Sequence, residues 1–176
     1  LNTNNTESKG TKILASRNKS KNPVVGVSGE SDFSCLYVSK YLMNREVGFG
    51  RKLLEIIENE NIPYQHAPSG IDNISVIVRN SAITPEKEQR IYRKVRDELK
   101  VDSAFFDHEL ALIMLVGEGM QETIGTSAKA MNSMEKANVN IEMLNQSISE
   151  ASIMIGVKEK DLNKAIKSLY QTFFEN

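Results

Sequence analysis

From position 23 onward the apolar residues recur with two alternating periods. Val24 to Ser28 is a short apolar run, and Phe33 to Ser39 alternates, with Phe33, Cys35 and Tyr37 on one face. Phe49, Leu53, Ile56 and Ile57 then fall at helical spacing. Ile62 to Ala67 and Ile74 to Arg79 predict two strands, separated by the turn chemistry of Ser69-Gly70. Thr84-Pro85 predicts the cap and first turn of a helix continued by Ile91, Val95 and Leu99. Ser103 to Phe106 predicts a closing strand. The order then starts again: a strand at Leu110 to Val116, a helix at Glu122 to Lys136, strands at Val139 to Leu144 and Ala151 to Val157. A last helix carries Leu162, Ala165, Ile166, Leu169 and Phe173 as its apolar stripe.

Sliding the chain on itself by 77 positions tests this recurrence. Met43 meets Met120, Gly48 meets Gly125, Lys52 meets Lys129, Glu58 meets Glu135 and Asn61 meets Asn138; Ile71 meets Ile148 and Ser75 meets Ser152. Apolar positions coincide as well, Leu54 with Met131, Ile57 with Met134, Ile62 with Val139 and Val78 with Ile155. Two copies of one β-α-β-β-α-β unit follow from this. The second copy stops after its last helix and lacks a closing strand, and Val24 to Ser28 is available to fill that place. The first module is therefore expected to be nested in the second, the first spanning 30–109 and the second spanning 23–29 plus 110–176. Each helix has one apolar stripe, so the expected fold is α+β and ferredoxin-like, antiparallel sheets with helices on one face.

Composition narrows the class. Residues 1–22 are rich in Asn, Thr, Ser and Lys and predict a linker or tail. The net charge is −1 and the 22 basic residues are spread out, so no basic stripe is present to draw nucleic acid or anionic lipid. No apolar run approaches the ~20 residues that span a bilayer. The start lacks the apolar core of a signal peptide. One cysteine and two histidines, far apart, exclude an internal disulfide and make a poor metal site. A cytoplasmic location is expected, with no nucleic acid and no membrane as partners. The strands Ile74 to Arg79 and Ala151 to Val157 carry no aromatic residue on which an RNA base would stack.

Met43-Asn44-Arg45-Glu46-Val47-Gly48-Phe49-Gly50 is the most informative stretch, a glycine-bearing turn between a strand and a helix. Backbone N–H groups at such a helix start suit an anion such as an amino-acid carboxylate, and Glu46 and Asn44 suit an ammonium group. The alternative is a turn that uses glycine for geometry alone. Gly117-Glu118-Gly119 opens the matching turn of the second module, lacks a dinucleotide fingerprint and reads as backbone geometry. Tyr64 and His66 lie on one face of a strand, Gln65 on the other, and the pair suits a core or an interface. His108 falls in the polar Asp107-His108-Glu109, expected to be a solvated connection, and Cys35 is expected to be buried packing. Glu86 to Lys100 reads as the outer face of a helix. No nucleophile stands with a base, so catalysis by this chain is not expected.

Leu42 to Gly50, followed by Pro68-Ser69-Gly70-Ile71-Asp72, resembles the first ACT module of bacterial aspartate kinases. Val116 to Met120 and Asn138 to Gln146 resemble the second, and Gly10-Thr11-Lys12-Ile13 resembles the tail of that family's kinase domain. The resemblance implies a C-terminal regulatory segment of an enzyme that phosphorylates the β-carboxylate of aspartate with ATP, the first step towards lysine, threonine and methionine. It implies that the catalytic domain, with its ATP and Mg, lies outside this sequence, that no cofactor is held here, and that the modules form a homodimer. Lysine, threonine or both are the implied feedback effectors, held by the turn from Met43 to Gly50 with Pro63, Tyr64 and Gln65, and by Asn145 and Gln146. The better-known lysine sites of that family carry an aspartate where Gln65 stands, which makes Glu46 the substitute partner for a lysine ammonium. A pair of modules that only dimerises is the alternative.

Overall fold

The structure, a computed structural model, describes residues 22–146 and 151–175. Of the tail expected over 1–22, residues 1–21, with Gly10 to Ile13, lie outside the described residues. Six strands form one antiparallel sheet in the order β2-β3-β1-β4-β6-β5. The strands are β1 (Gly26–Ser39), β2 (Tyr64–His66), β3 (Asn73–Arg79), β4 (Ser103–Val116), β5 (Met143–Asn145) and β6 (Ser152–Lys158). The helices are α1 (Phe49–Glu58), α2 (Pro85–Leu99), α3 (Thr126–Lys136) and α4 (Leu162–Phe174). No helix among the described residues is long and apolar enough to cross a membrane.

The two expected sheets are halves of this one sheet, because β1 and β4 each run for 14 residues through both modules. The strands expected at Val24 to Ser28 and at Phe33 to Ser39 are thus one strand, which begins at Gly26. Ser103 to Phe106 and Leu110 to Val116 are likewise one strand, and Asp107-His108-Glu109 lies within it rather than in a solvated connection. Register explains how a polar interruption is absorbed. Glu30 pairs with Leu112 but Phe33 with Leu110, so β1 carries one extra residue; Cys35 then pairs with Asp107, so β4 carries the next. Asp32, at φ 75°, takes up the bulge in β1. Each bulge shifts the inward-facing parity by one, from Val27 in one core to Leu36 and Val38 in the other, and keeps the helices on a single face.

Two cores result. Leu36, Val38, Val76 and Val78 pack under α1 and α2, through Leu53, Ile57, Ile91 and Val95. Ile113, Leu115, Ile153 and Ile155, with Val24, pack under α3 and α4, through Met134, Ala165 and Leu169. The duplication is legible in three dimensions: β3 and β6 have the same alternation of buried and half-buried positions. Here, though, Asn73 matches Ser152, so Val78 corresponds to Val157 and Ser75 to Met154 rather than to Ile155 and Ser152. Asn61 and Asn138, 77 apart, both adopt left-handed backbone after the first helix of their module, at φ 54° and 50°. The expected helix from Glu122 starts at Thr126, after a short 3-10 turn at Glu118–Met120. The strand expected over Val139 to Leu144 is confined to Met143–Asn145. A third apolar cluster, Phe33, Ile77 and Leu110, fills the helix-free face, round which the sheet curls.

Candidate functional site

The turn between β1 and α1 is built on two anchors, Met43 and Phe49, both buried in the first core. Between them the chain is held by its backbone. Leu42 is left-handed at φ 57°, Lys40 N–H donates to Asp72 O at 2.9 Å, and Asn44 N–H donates to Ile71 O at 3.1 Å. These bonds pin the turn to the connection that precedes β3. Gly48 caps α1 at φ 79°, with no side chain over the helix start and open space where a Cβ would stand. The first N–H groups of α1 are therefore left without a side-chain cap and carry the positive end of the helix dipole. Val47, beside it, is 94% exposed. The second module repeats the arrangement: Gly125 caps α3 at φ 87°, again with open space at its Cα and no side-chain cap.

The charges round the first turn are already partnered. Glu46 accepts from Lys40 Nζ at 2.5 Å and from Lys52 Nζ at 3.2 Å, and Lys40 Nζ also donates to Leu99 O at 2.7 Å. The hydrogen bond from Lys40, then that from Lys52, holds the Glu46 carboxyl below its ordinary range. Neither lysine was singled out by the sequence; each stands six positions from Glu46, a spacing that only the turn brings together. Asp72 is the other unforeseen residue. Its Oδ1 is buried without a hydrogen-bond partner among the described residues, and its main chain receives Lys40 N–H.

The remaining candidates occupy three separate places. Pro63 and Tyr64 line a groove of about 420 Å³ against Leu54, Ile57 and Asn61 at the far end of α1. Gln65 faces a groove of about 450 Å³ with Glu30, Phe33, Leu112 and Met154. Tyr64 pairs with Val78 at one end of β3, whereas the turn is pinned at Asp72 beyond the other end, some ~20 Å of strand away. Within one chain, then, β2 and the turn do not share a pocket. In the second module Gln146, just past β5, meets the matching turn: its Oε1 accepts from Ser127 Oγ, in the first turn of α3, at 2.7 Å. Asn145 bonds to His66. Arg45 and Asn44 are exposed, and Gly50 is half-buried in α1. Cys35 is half-buried, and burial pushes its thiol up. No group of three metal-ligating side chains occurs among the described residues.

Comparison with known proteins places these features in a family. The ACT domain family matches residues 113–173. Aspartokinase 3 of Bacillus subtilis is 44% identical over 173 residues, which is 98% of this chain and 38% of that protein. The aspartate kinase of Clostridium acetobutylicum superposes with a TM-score of 0.81 at 34% identity, covering 85% of this chain and 34% of that one. The regulatory subunit of aspartate kinase from Thermus flavus shares the fold, with a TM-score of 0.74 at 19% identity over 86% of this chain and 99% of its own. The chain thus spans well under half the length of the Bacillus relative.

Proposed function

Because this chain belongs among the ACT-domain regulatory segments of aspartokinases, we propose that it is the allosteric amino-acid sensor of such an enzyme, one that phosphorylates aspartate. In this reading it binds lysine, threonine or both, works as a homodimer, and relays feedback inhibition to a catalytic domain. The observation that carries the proposal is the doubled helix start: Gly48 and Gly125 both hold an uncapped, positively polarised N-terminus open to solvent. An amino-acid carboxylate fits that place. The first turn adds Lys52, 43% exposed at its side chain, beside the same helix start. With Glu46 held between two lysines, the acceptor proposed for the effector's ammonium group moves to Asp72 Oδ1 and the carbonyls of the turn. Pairing of two copies would bring the exposed edge strand β2 of one towards the turn of the other, which supplies Pro63, Tyr64 and Gln65.

The mechanism is linkage. An effector that prefers one arrangement of the dimer shifts the attached kinase by its differential affinity, typically ~1–3 kcal/mol. A second reading, a pair that only dimerises, is favoured by the occupied Glu46 and the uncharged Gln65. Thermal unfolding with lysine, threonine, both together, and methionine separates the two. A ligand at 100 times its dissociation constant adds ~2.7 kcal/mol, so a rise in Tm with lysine or threonine supports the sensor. An unchanged Tm in a dimeric protein supports the dimerisation unit.

A further inference from the structure

In the first module the cleft between α1 and α2 holds an internal ion cluster. Glu60, with its side chain 7% exposed, accepts from Arg90 at 2.7 and 3.0 Å and stands 3.5 Å from Lys94. The duplication identifies the same place in the second module. Glu60 directly precedes the left-handed Asn61, and Ala137 directly precedes the left-handed Asn138. At the same 77-residue offset Arg90 meets Lys167 and Lys94 meets Gln171. The carboxylate has thus been replaced by Ala137, while lysines stand at 164 and 167 on the facing helix.

What stands there instead is a groove of about 430 Å³ between the end of α3 and α4, with Lys136, Lys164 and Lys167 on its walls and no carboxylate among its lining residues. Lys164 is engaged, donating to Asn138 O and to Asp161, each at 3.0 Å. Lys136 and Lys167 make no ion pair among the described residues. Ser168 Oγ donates to Ser133 O at 2.7 Å and ties α4 to α3, so the groove has a fixed floor.

The geometry points to an anion site in the second module, between α3 and α4, that takes a phosphate group. Two ammonium groups without an ion pair among the described residues match the charge of a phosphate, about −1.5 to −2 at neutral pH, better than that of a single carboxylate. Lysine is a recurrent point-charge partner of phosphate. The anion occupies the position that the first module fills with its own Glu60. This site is separate from both glycine-capped helix starts, which lie at the opposite ends of α1 and α3, and it stands whether or not those bind an effector.

The test is amide NMR of this chain titrated with inorganic phosphate, AMP and acetate at constant ionic strength. Saturable shifts of the amides at 136–138 and 164–172 with phosphate or AMP, and weaker ones with acetate, are expected. Tighter binding of AMP than of phosphate assigns a nucleotide, and equal binding assigns free phosphate. Lys136→Gln with Lys167→Gln should weaken binding roughly tenfold or more, the loss of two charge-assisted contacts. Ala137→Glu, which restores the internal carboxylate, should weaken it while the chain stays folded. No saturable shift at tens of millimolar phosphate overturns the proposal. So do shifts confined to the starts of α1 and α3, or affinity unchanged in the lysine variant.

Discussion

Asn145 Nδ2 donates to His66 Nε2 at 3.0 Å, joining the two outermost strands of the sheet. Laid flat, six strands at ~4.8 Å spacing would hold β2 and β5 ~24 Å apart. The bond exists because the sheet curls round its helix-free face until its edges meet. A double-mutant cycle of His66→Ala and Asn145→Ala should give a coupling energy of about 0.5–1.5 kcal/mol in urea unfolding. Strictly additive losses would show that the edges do not touch in solution.

Glu60 sets an acid limit on the first module. The hydrogen bond from Arg90 holds its carboxyl below the ordinary value of 4.5. A carboxyl depressed in the folded state contributes stability above its unfolded pKa, and that contribution disappears as pH falls through the folded value. Glu60→Gln should therefore be less stable than the parent at neutral pH by an amount that is flat down to about pH 4.5 and shrinks below it. Denaturant midpoints across a pH series measure this directly; a gap that does not change with pH would contradict it.

The glycine caps should respond to conformation and not to crowding. Both have left-handed backbone, and neither has an atom within 4 Å of the place a Cβ would take. Gly48→Ala and Gly125→Ala should each cost about 1–2 kcal/mol, the price of a side chain in that region, and Asn at either position less. Chemical denaturation ranks the variants; equal effects of Ala and Asn would contradict the argument.

Thr84 accepts from Lys87 N–H at 3.3 Å and starts α2, with Pro85 at the first helical position. Thr84→Ala should lower stability by about 1 kcal/mol, read as a reduced urea midpoint at unchanged slope. Thr84→Asp should recover most of it, since an acidic side chain also suits a helix start.

Much of this was legible in the residues. Thr84-Pro85 marked α2, and the 77-residue offset that pairs Gly48 with Gly125 and Asn61 with Asn138 also pairs their backbone conformations. The continuity of β1 and β4 was not legible, because Ser28 to Asp32 and Asp107 to Glu109 have the composition of turns. Their polar side chains fall where each strand bulges and changes its facing, so no simple alternation survives. The occupation of Glu46 was hidden for a different reason. Its partners Lys40 and Lys52 flank it at a separation that neither a helix nor a strand would bring into contact. Gln65 and the glycine turn, linked by resemblance, sit at opposite ends of β3 within one chain.

The two long strands also fix the order in which a growing chain finds its partners. The second half of β1, from Phe33 to Ser39, can pair with β3 as soon as Arg79 has left the ribosome, and Ser103 to Asp107 completes that half soon afterwards. Gly26 to Glu30, made earlier than either, has nothing to pair with until Leu112 to Val116 emerge. Val24 then waits for α3 and α4 to close over it. Among the described residues, those synthesised first are thus among the last to be sheltered, and the second core is closed by residues from both ends of the described stretch, Val24 and Phe173.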